Sequence, residues 1–285
     1  MNCRNEEKFI STAINSVLFQ TYKNFELLIW DDASNDNTLK IIKSFDDKRI
    51  KIFGNKTHLG LGLSRCKAQR EVNGELVAIL DADDEMSNNR IEKQVNEFLM
   101  NENLALIGSW IKYKNTEGKV IREKFYDRIP CNIKATNEEI RENMVWRNIF
   151  AHSSIMYKKQ DALRVGWYST TLEYAQDYDL SIKLIKDKES KILNEYLTFI
   201  TERKESMTSS AQLKKRRIQE NLHILESCRS QIKMGKRLSF INLRAISVNK
   251  LKLDLISDSN LIVKFFFIFK TLIKFPSLLF FRFFK

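Results

Sequence analysis

Three carboxylates follow an apolar run in the first third of the chain. Leu76–Leu80 is rich in Val, Ile and Leu, a pattern typical of a strand buried on both faces. Asp81, Asp83 and Asp84 come directly after it. Carboxylates at a strand end lie where open α/β folds bind ligands, and two of them one residue apart offer hard oxygen ligands to a divalent metal. The same residues are also compatible with a strand that leads into an acidic helix N-cap.

A second acidic strand end lies earlier in the chain. Phe25–Trp30 predicts a strand, and Asp31 and Asp32 follow it. Helix and strand patterns alternate around these two acidic ends, which predicts an α/β fold with a mostly parallel central sheet and helices on both faces. Asp32 and the Asp81–Asp84 cluster are then expected at the same carboxyl edge of the sheet. Further helices are expected near residues 6–20, 38–45, 60–72, 88–100, 137–147 and from 175, and further strands near 50–53, 104–113, 153–157 and 191–200.

The charge is distributed unevenly along the 285 residues. The chain holds 48 Lys and Arg against 36 Asp and Glu. The last 85 residues contain 18 of the basic and 6 of the acidic side chains, which leaves 30 of each for residues 1–200. A neutral globular domain with a basic tail indicates an anionic surface as a partner. We therefore expect a catalytic or binding domain over residues 1–210 and a basic helical tail over residues 211–285.

The cysteines and the amino terminus restrict the cellular compartment. The four cysteines are scattered without a C-x-x-C pair, which argues against a zinc site or a disulfide scaffold and favours a reducing compartment. They are Cys3, Cys66, Cys131 and Cys228. The first residues are polar, so no signal peptide is expected.

The end of the tail has the composition of a membrane-surface helix. Residues 261–285 combine many phenylalanines and leucines with five basic residues and no acid. The basic side chains fall on one arc of a helical wheel, and charges interrupt the segment too often for a spanning helix. We expect this segment to lie on an anionic membrane; a helix packed on the domain or on a partner protein is the alternative. Nucleic acid binding would not explain the phenylalanines.

Six motifs together indicate a family. They occur in order along the chain at Asn2–Glu7, Ser16–Tyr22, Trp30–Thr38, Gly60–Arg65, Gly74–Asp84 and Gln176–Leu180. In sequence and spacing this series resembles family 2 glycosyltransferases with the A-type nucleotide-sugar fold. The resemblance covers about residues 1–210.

The resemblance implies a role for five side chains. Asp32 matches the aspartate that contacts uracil, and Arg65 lies in a stretch near the nucleotide. Asp81 matches the first acid of the D-x-D motif, by the ribose, and Asp83 matches the second, which ligates Mn²⁺ or Mg²⁺ at the diphosphate. Asp177 matches the general base that takes the proton of the acceptor hydroxyl. The implied reaction is a single in-line displacement with inversion at the anomeric carbon.

Other readings of the same residues remain open. Asp177 opens a helix, so a simple capping role would also explain it. Asp179 is close enough in sequence to be the base instead. His152 lies in a stretch that the resemblance places near the acceptor, although a lone histidine is more often structural. His58 and His223 are assigned no function.

The chain departs from the family pattern at several positions. Gln176 replaces the glutamate before the base, and Cys66 and Ala68 replace an asparagine and a glycine after Arg65. In the stretch that resembles Tyr-Arg-x-His-x-x-Ser, Arg203 stands at the histidine position. A guanidinium there could steer a diphosphate.

The largest departure is at the start. The family pattern opens with a strand that precedes the asparagine matched by Asn2. Without that strand two neighbouring strands would expose their edges and buried apolar area would be lost. We expect a shortened or late-started version of a longer protein, with a degenerate, inactive protein as the alternative.

The sequence thus predicts a bacterial, metal-dependent glycosyltransferase at the cytoplasmic face of the membrane. It would move a sugar, expected to come from a UDP-sugar, to a saccharide acceptor, expected to be lipid-linked, in the synthesis of cell-surface polysaccharide. An oxidoreductase would need the G-x-G-x-x-G fingerprint after the first strand, which is absent. The alternative function is an inactive sugar-nucleotide-binding or membrane adaptor protein derived from such an enzyme.

Overall fold

The computed structural model describes residues 1–121, 130–203, 211–232 and 234–257. The chain forms two compact units, one from Met1–Arg141 and Asn148–Lys204 and one from Glu142–Arg147 and Glu205–Lys285. The boundary predicted after residue 210 adjoins residues 204–210, which lie outside the described part, so it stays a prediction.

A three-stranded parallel sheet contains the first acidic strand end. Its strands are β1 (Asn2–Cys3), β2 (Leu27–Asp31) and β3 (Ile50–Gly54), in the order β1-β2-β3. β1 pairs with the end of β2, with Cys3 opposite Asp31. Asp32 therefore follows the central strand of this sheet, as the sequence predicts.

A second, mixed sheet contains the other acidic strand end. The strand order is β4-β8-β6-β9-β5, and β7 pairs with β6 in a hairpin. Only the pairing of β6 with β9 is parallel among those of this sheet's described strands. The strands are β4 (Leu76–Ala78), β5 (Glu85–Met86), β6 (Leu104–Lys114), β7 (Val120–Ile121), β8 (Met156–Lys158) and β9 (Glu189–Thr201).

Helices connect the strands, and most of them follow the predicted apolar spacing. In α1 the buried residues recur at the expected three- and four-residue intervals. No helix is predicted from the sequence where the six-residue α6 lies. The helices are α1 (Ile10–Leu18), α2 (Thr38–Lys43), α3 (Leu61–Ala68), α4 (Arg90–Met100), α5 (Asn137–Met144), α6 (Lys159–Arg164) and α7 (Gln176–Ile185).

The α/β fold is confirmed, but the strands are not joined in one mostly parallel sheet. β2 and β4 are not paired with each other, and a cavity of about 750 Å³ is lined by residues of both. The α-amino group of Met1 donates to the carbonyl of Leu28 at 2.9 Å. Burial lowers the pKa of this amino group from its ordinary value. Two residues of a first strand are therefore present, although the sequence predicts its loss, and the slot between β2 and β4 is open.

Two helices form most of the described part of the second unit, α8 (Ala211–Gln231) and α9 (Lys236–Ser257). Cys228 and Leu251 are among their buried residues. The Asn242 side chain is buried and donates to the carbonyl of Leu225 at 2.9 Å. Among the described residues no helix has the length and apolarity that crossing a bilayer requires. The predicted membrane segment 261–285 lies outside the described residues.

Candidate active site

Asp81, the first of the clustered acids, is held by two cationic or polar side chains. Its Oδ1 lies 3.3 Å from an Nη2 donor of Arg65 and 3.2 Å from Nδ1 of His152. Burial opposes ionisation of Asp81, but His152 and Arg65 hold its pKa well below the usual range. The sequence placed Arg65 near the nucleotide site and left His152 open; the structure brings both to Asp81.

The turn that carries His152 is fixed by a buried arginine. His152–Ser154 forms a single 3₁₀ turn ahead of β8, and Ser153 Oγ accepts the Asp81 backbone N–H at 3.2 Å. The fully buried Arg90 donates to the carbonyls of Ile79 and Ile155, each at 3.0 Å. A planar guanidinium with several donors suits this role. It ties the end of β4 to the start of β8, and so positions the partners of Asp81.

Tyr168 contacts both partners of Asp81. Its hydroxyl lies 3.0 Å from His152 Nε2, and its ring lies 5.9 Å from the Arg65 guanidinium carbon. Burial raises the pKa of Tyr168 to about 12, and the negative charges of Asp177 and Asp81 both add to the rise. No motif identified Tyr168 in the sequence.

Asp177 differs from Asp179, the other candidate base, in the partners of its carboxylate. It lies in the first turn of α7, where its Oδ2 accepts a hydrogen bond from Asn148 Nδ2 at 2.9 Å. It is in no ion pair with any of the described residues. The carboxylate of Asp179, by contrast, is buried and lies 2.6 Å from Lys183 Nζ. Of the two candidate bases, Asp177 is the one whose charge is not neutralised by a lysine.

Asp32 anchors the loop after β3. Its carboxylate accepts from Asn55 at 2.7 Å and from the backbone N–H groups of Leu59 and Gly60, each at 2.9 Å. His58 Nδ1 lies 2.8 Å away, a contact that no sequence motif indicates. Burial opposes ionisation, yet these hydrogen bonds lower the pKa of Asp32. Contact of Asp32 with uracil stays a prediction, and it would require the base to share a carboxylate that already has four partners.

Asp83, the predicted metal ligand, forms an ion pair with the guanidinium of Arg203. Arg203 donates to its Oδ2 from Nε at 2.8 Å and, in closer contact, from Nη2. The same Nη2 lies 2.9 Å from Oε1 of Glu6. Burial raises the pKa of Asp83, and Arg203 opposes that rise. One of the two carboxylate oxygens of Asp83, Oδ2, is therefore engaged by Arg203.

Asp84 is also engaged. It is buried, accepts from the Ser153 hydroxyl at 2.5 Å and from the Thr201 backbone N–H at 2.9 Å, and burial raises its pKa well above the usual range. Within residues 1–121, 130–203, 211–232 and 234–257, no three His, Cys, Asp or Glu side chains are grouped as a metal site. With Asp81 paired to Arg65, Asp83 to Arg203 and Asp84 hydrogen-bonded to Ser153, this donor set does not fit a divalent cation.

Two consecutive residues of α3, Ser64 and Arg65, connect the acidic end of β2 with the acidic end of β4. Asn55, which donates to Asp32, also donates to the Ser64 hydroxyl at 3.0 Å. Arg65, which follows Ser64 in α3, contacts Asp81. Gly62 in the same helix lies close to α7, because an added Cβ would meet the side-chain amide of Gln176 and lie 3.1 Å from the Leu172 carbonyl oxygen. α3 thus packs closely against the start of α7, the helix that carries Asp177.

The chain matches a known family over most of this unit. The profile of glycosyl transferase family 2 matches residues 1–170, more than half of the chain. The chain belongs to glycosyl transferase family 2. The predicted recognition is therefore confirmed at the level of the family.

Two curated relatives each match about two thirds of this chain. The chain is 32% identical over 195 residues to the uncharacterized glycosyltransferase MJ1057 of Methanocaldococcus jannaschii, covering 67% of this chain and 65% of that protein. It is 30% identical over 192 residues to the Escherichia coli UDP-Glc:alpha-D-GlcNAc-diphosphoundecaprenol beta-1,3-glucosyltransferase WfgD, covering 67% and 70%.

Solved structures confirm the A-type fold. S. aureus TarS 1–349 in complex with UDP-GlcNAc superposes with a TM-score of 0.59 at 18% identity, covering 90% of this chain and 82% of that one. The mannosyltransferase PcManGT from Pyrobaculum calidifontis, in complex with GDP-Man and Mn²⁺, gives a TM-score of 0.64 at 16% identity, covering 99% and 79%. At these identities the likeness concerns the fold.

Proposed function

We propose that this family 2 protein transfers a sugar from a UDP-sugar to the hydroxyl of a saccharide acceptor, with inversion at the anomeric carbon. The observation that carries the proposal is α3, whose Arg65 contacts Asp81 and whose Gly62 packs against Gln176, the residue before Asp177. Two carboxylates from distant parts of the chain are thereby brought into one site. Nucleotide-sugar complexes of proteins with the same fold support the donor class.

Asp81 and Asp177 have different roles in the proposed reaction. Arg65 and His152 hold Asp81 ionised beside the nucleotide, where it accepts hydrogen bonds from the ribose. Asp177 takes the proton of the acceptor hydroxyl. The acceptor oxygen forms a bond to the anomeric carbon on the face opposite the leaving group. The bond from that carbon to the diphosphate oxygen breaks, and the electron pair leaves with the nucleoside diphosphate.

The acceptor is a lipid-linked saccharide at the cytoplasmic face of a bacterial membrane. Two observations support this part of the proposal. WfgD, a relative at 30% identity, is named for a diphosphoundecaprenol acceptor. The sequence of residues 261–285 has a basic and a phenylalanine-rich face, which suits a helix lying on anionic lipid. The product then belongs to the synthesis of a surface polysaccharide.

The test is a matched pair of substitutions in α7. Asp177→Asn removes the base and keeps the shape, so turnover measured as UDP release should fall by about 10²–10⁴-fold. Asp179→Asn breaks the pair with Lys183 but leaves the base, so its turnover should stay within a few-fold. Calorimetry with UDP should give the same affinity for both variants. Full activity of Asp177→Asn, or loss of UDP binding in that variant, would overturn the assignment.

A non-catalytic sugar-nucleotide-binding protein is the second candidate. The cavity of about 750 Å³ lined by Arg65, Asp81 and His152 would suit a bound nucleotide whether or not transfer follows. UDP binding without UDP release, over a panel of UDP-sugars and saccharide acceptors, would identify the binding protein.

A further inference from the structure

We propose that the Arg203 guanidinium takes the place of a divalent cation at Asp83, so that this chain transfers sugar without a metal. The inference rests on the proposed function. It concerns the positively charged group that stabilises the negative charge of the departing diphosphate. Sequence resemblance alone predicts Mn²⁺ or Mg²⁺ at Asp83. The contacts of Asp83 point to an arginine instead.

The position of Arg203 is fixed from three sides. One edge of the guanidinium, Nε and Nη2, donates to Asp83, and Nη2 also contacts Glu6 at 2.9 Å. The guanidinium carbon lies 4.8 Å from the centre of the Phe9 ring, within the range of a cation–π contact. The two carboxylates raise the pKa of Arg203 against the effect of burial, so it stays charged. A cation held in this way is a fixed part of the site.

The other edge of the guanidinium is free to bind an anion. Nη1 carries two N–H donors, and none of the described residues accepts from them. Hydrogen bonds from a charged guanidinium to phosphate oxygens are short and strong. Because Asp83 and Glu6 use both donors of Nη2, the two N–H donors of Nη1 are the ones left for a diphosphate.

The chemistry of the side chain separates arginine from a metal ligand. The family pattern has a histidine where this chain has Arg203, and an imidazole nitrogen can bind a metal. A guanidinium has no lone pair to offer and cannot be deprotonated in a protein. Arginine in place of histidine at position 203 therefore removes a potential metal ligand and adds a permanent positive charge. The other two acids of the cluster are engaged as well, Asp81 by Arg65 and Asp84 by Ser153.

Both signs of charge surround Asp83. A cavity of about 280 Å³ is lined by two lysines, Lys8 and Lys114, and by four acids, Asp83, Asp84, Glu85 and Glu117. Lys114 is paired with Glu85. No ion pair joins Lys8 to the described residues. In the transfer step Arg203 gives and takes no proton: it donates hydrogen bonds to the diphosphate oxygens as the bond to the anomeric carbon breaks and the negative charge grows.

The experiment separates metal binding from nucleotide binding. Full-length protein is treated with EDTA and titrated with UDP and with GDP by calorimetry, with and without Mn²⁺. Manganese retention is read independently by electron paramagnetic resonance of Mn²⁺ added to the protein with UDP. We expect nucleotide affinity to differ by less than threefold between EDTA and Mn²⁺, and no Mn²⁺ to be retained. Sugar-nucleotide turnover should persist in EDTA.

Two substitutions and a control complete the test. Arg203→Met should weaken nucleotide binding in EDTA by about tenfold or more, because it removes the charged donors. Arg203→His should make binding respond to Mn²⁺. Arg164→Met, on the exposed end of α6, is the control and should behave as the wild type. Thermal melting verifies that each variant is folded.

Two outcomes would overturn the proposal. Nucleotide binding by the wild type that is lost in EDTA and restored by Mn²⁺, with retained Mn²⁺ in the resonance spectrum, would mean that a metal displaces Arg203. Failure of UDP and GDP to bind under either condition would defeat the proposed function itself. The resonance measurement distinguishes the two, because it reports the metal whether or not turnover occurs.

Discussion

The hydroxyl of Tyr168 lies 3.0 Å from Nε2 of His152, whose Nδ1 lies 3.2 Å from Asp81. The chain from phenol to imidazole to carboxylate is set in a largely buried environment. Such networks orient a charged group most firmly when every member has a partner. The orientation of Asp81 therefore depends on a tyrosine that does not touch it.

Removing the Tyr168 hydroxyl should loosen this network. Tyr168→Phe leaves the outer nitrogen of His152 without a partner, at a cost of about 1–3 kcal/mol for a buried polar group. We expect a lower melting temperature and a several-fold weaker UDP affinity measured by calorimetry. Tyr174→Phe is the matched control, because the hydroxyl removed there contacts the adjacent Glu173 on a partly exposed segment. Equal effects of the two changes would show that the Tyr168 hydroxyl does not support Asp81.

Asp32 should make stability depend on acid pH. Hydrogen bonds from Leu59 and Gly60 lower its pKa in the folded state below the ordinary value of 3.8. Its stabilising effect is therefore fully present above about pH 4 and is lost as the pH falls through the folded-state value. Asp32→Asn should cost about 1–3 kcal/mol at pH 7, since at least one backbone N–H loses its acceptor.

The pH profile distinguishes this role from a general surface-charge effect. Melting temperatures of wild type and Asp32→Asn should converge as the pH falls from about 4 through the folded-state pKa, where the wild-type carboxylate takes up its proton. Asp46→Asn, at an exposed position, should follow the wild type throughout. A constant gap between wild type and Asp32→Asn over this range would contradict the role assigned to the ionised carboxylate.

The slot between β2 and β4 should accept an added strand. Met1 donates to Leu28 on the edge of β2, so a segment fused ahead of Met1 would continue along that edge toward the side of β4 that faces away from β8. A fused apolar segment of about five residues should raise the melting temperature by about 5 °C or more, because each buried large apolar side chain contributes about 1.5–3 kcal/mol and each kcal/mol shifts the midpoint by about 2–4 °C. A Gly/Ser segment of the same length is the control. Equal melting temperatures for the two fusions would mean that the slot does not bind a strand.

The carboxyl-terminal segment should bind the protein to anionic lipid. Deleting residues 261–285 removes five basic residues and the phenylalanine-rich face, and should shift the protein from vesicles containing phosphatidylglycerol to the supernatant on sedimentation. Donor hydrolysis should be retained. Neutral vesicles are the control, because electrostatic attraction requires anionic lipid. Unchanged sedimentation after the deletion would refute the anchor.

The sequence determined the elements and the candidate acids. Runs such as Leu76–Leu80 and the spacing of Ile10, Ala13, Ile14 and Val17 indicated a strand and a helix where the structure has β4 and α1. These predictions succeeded because apolar periodicity is local: it depends on neighbours along the chain. The motifs likewise identified the family.

The tertiary structure decided which acids are free and which are engaged. Asp83 and Arg203 are 120 residues apart in sequence, and Tyr168 lies in a segment without a motif. Whether a carboxylate is a metal ligand, a loop anchor or a base depends on which side chains the folded chain brings against it. Those contacts come from long-range packing, which no local pattern encodes. Three equally acidic positions, Asp32, Asp83 and Asp177, therefore differ in chemistry only once the chain is folded.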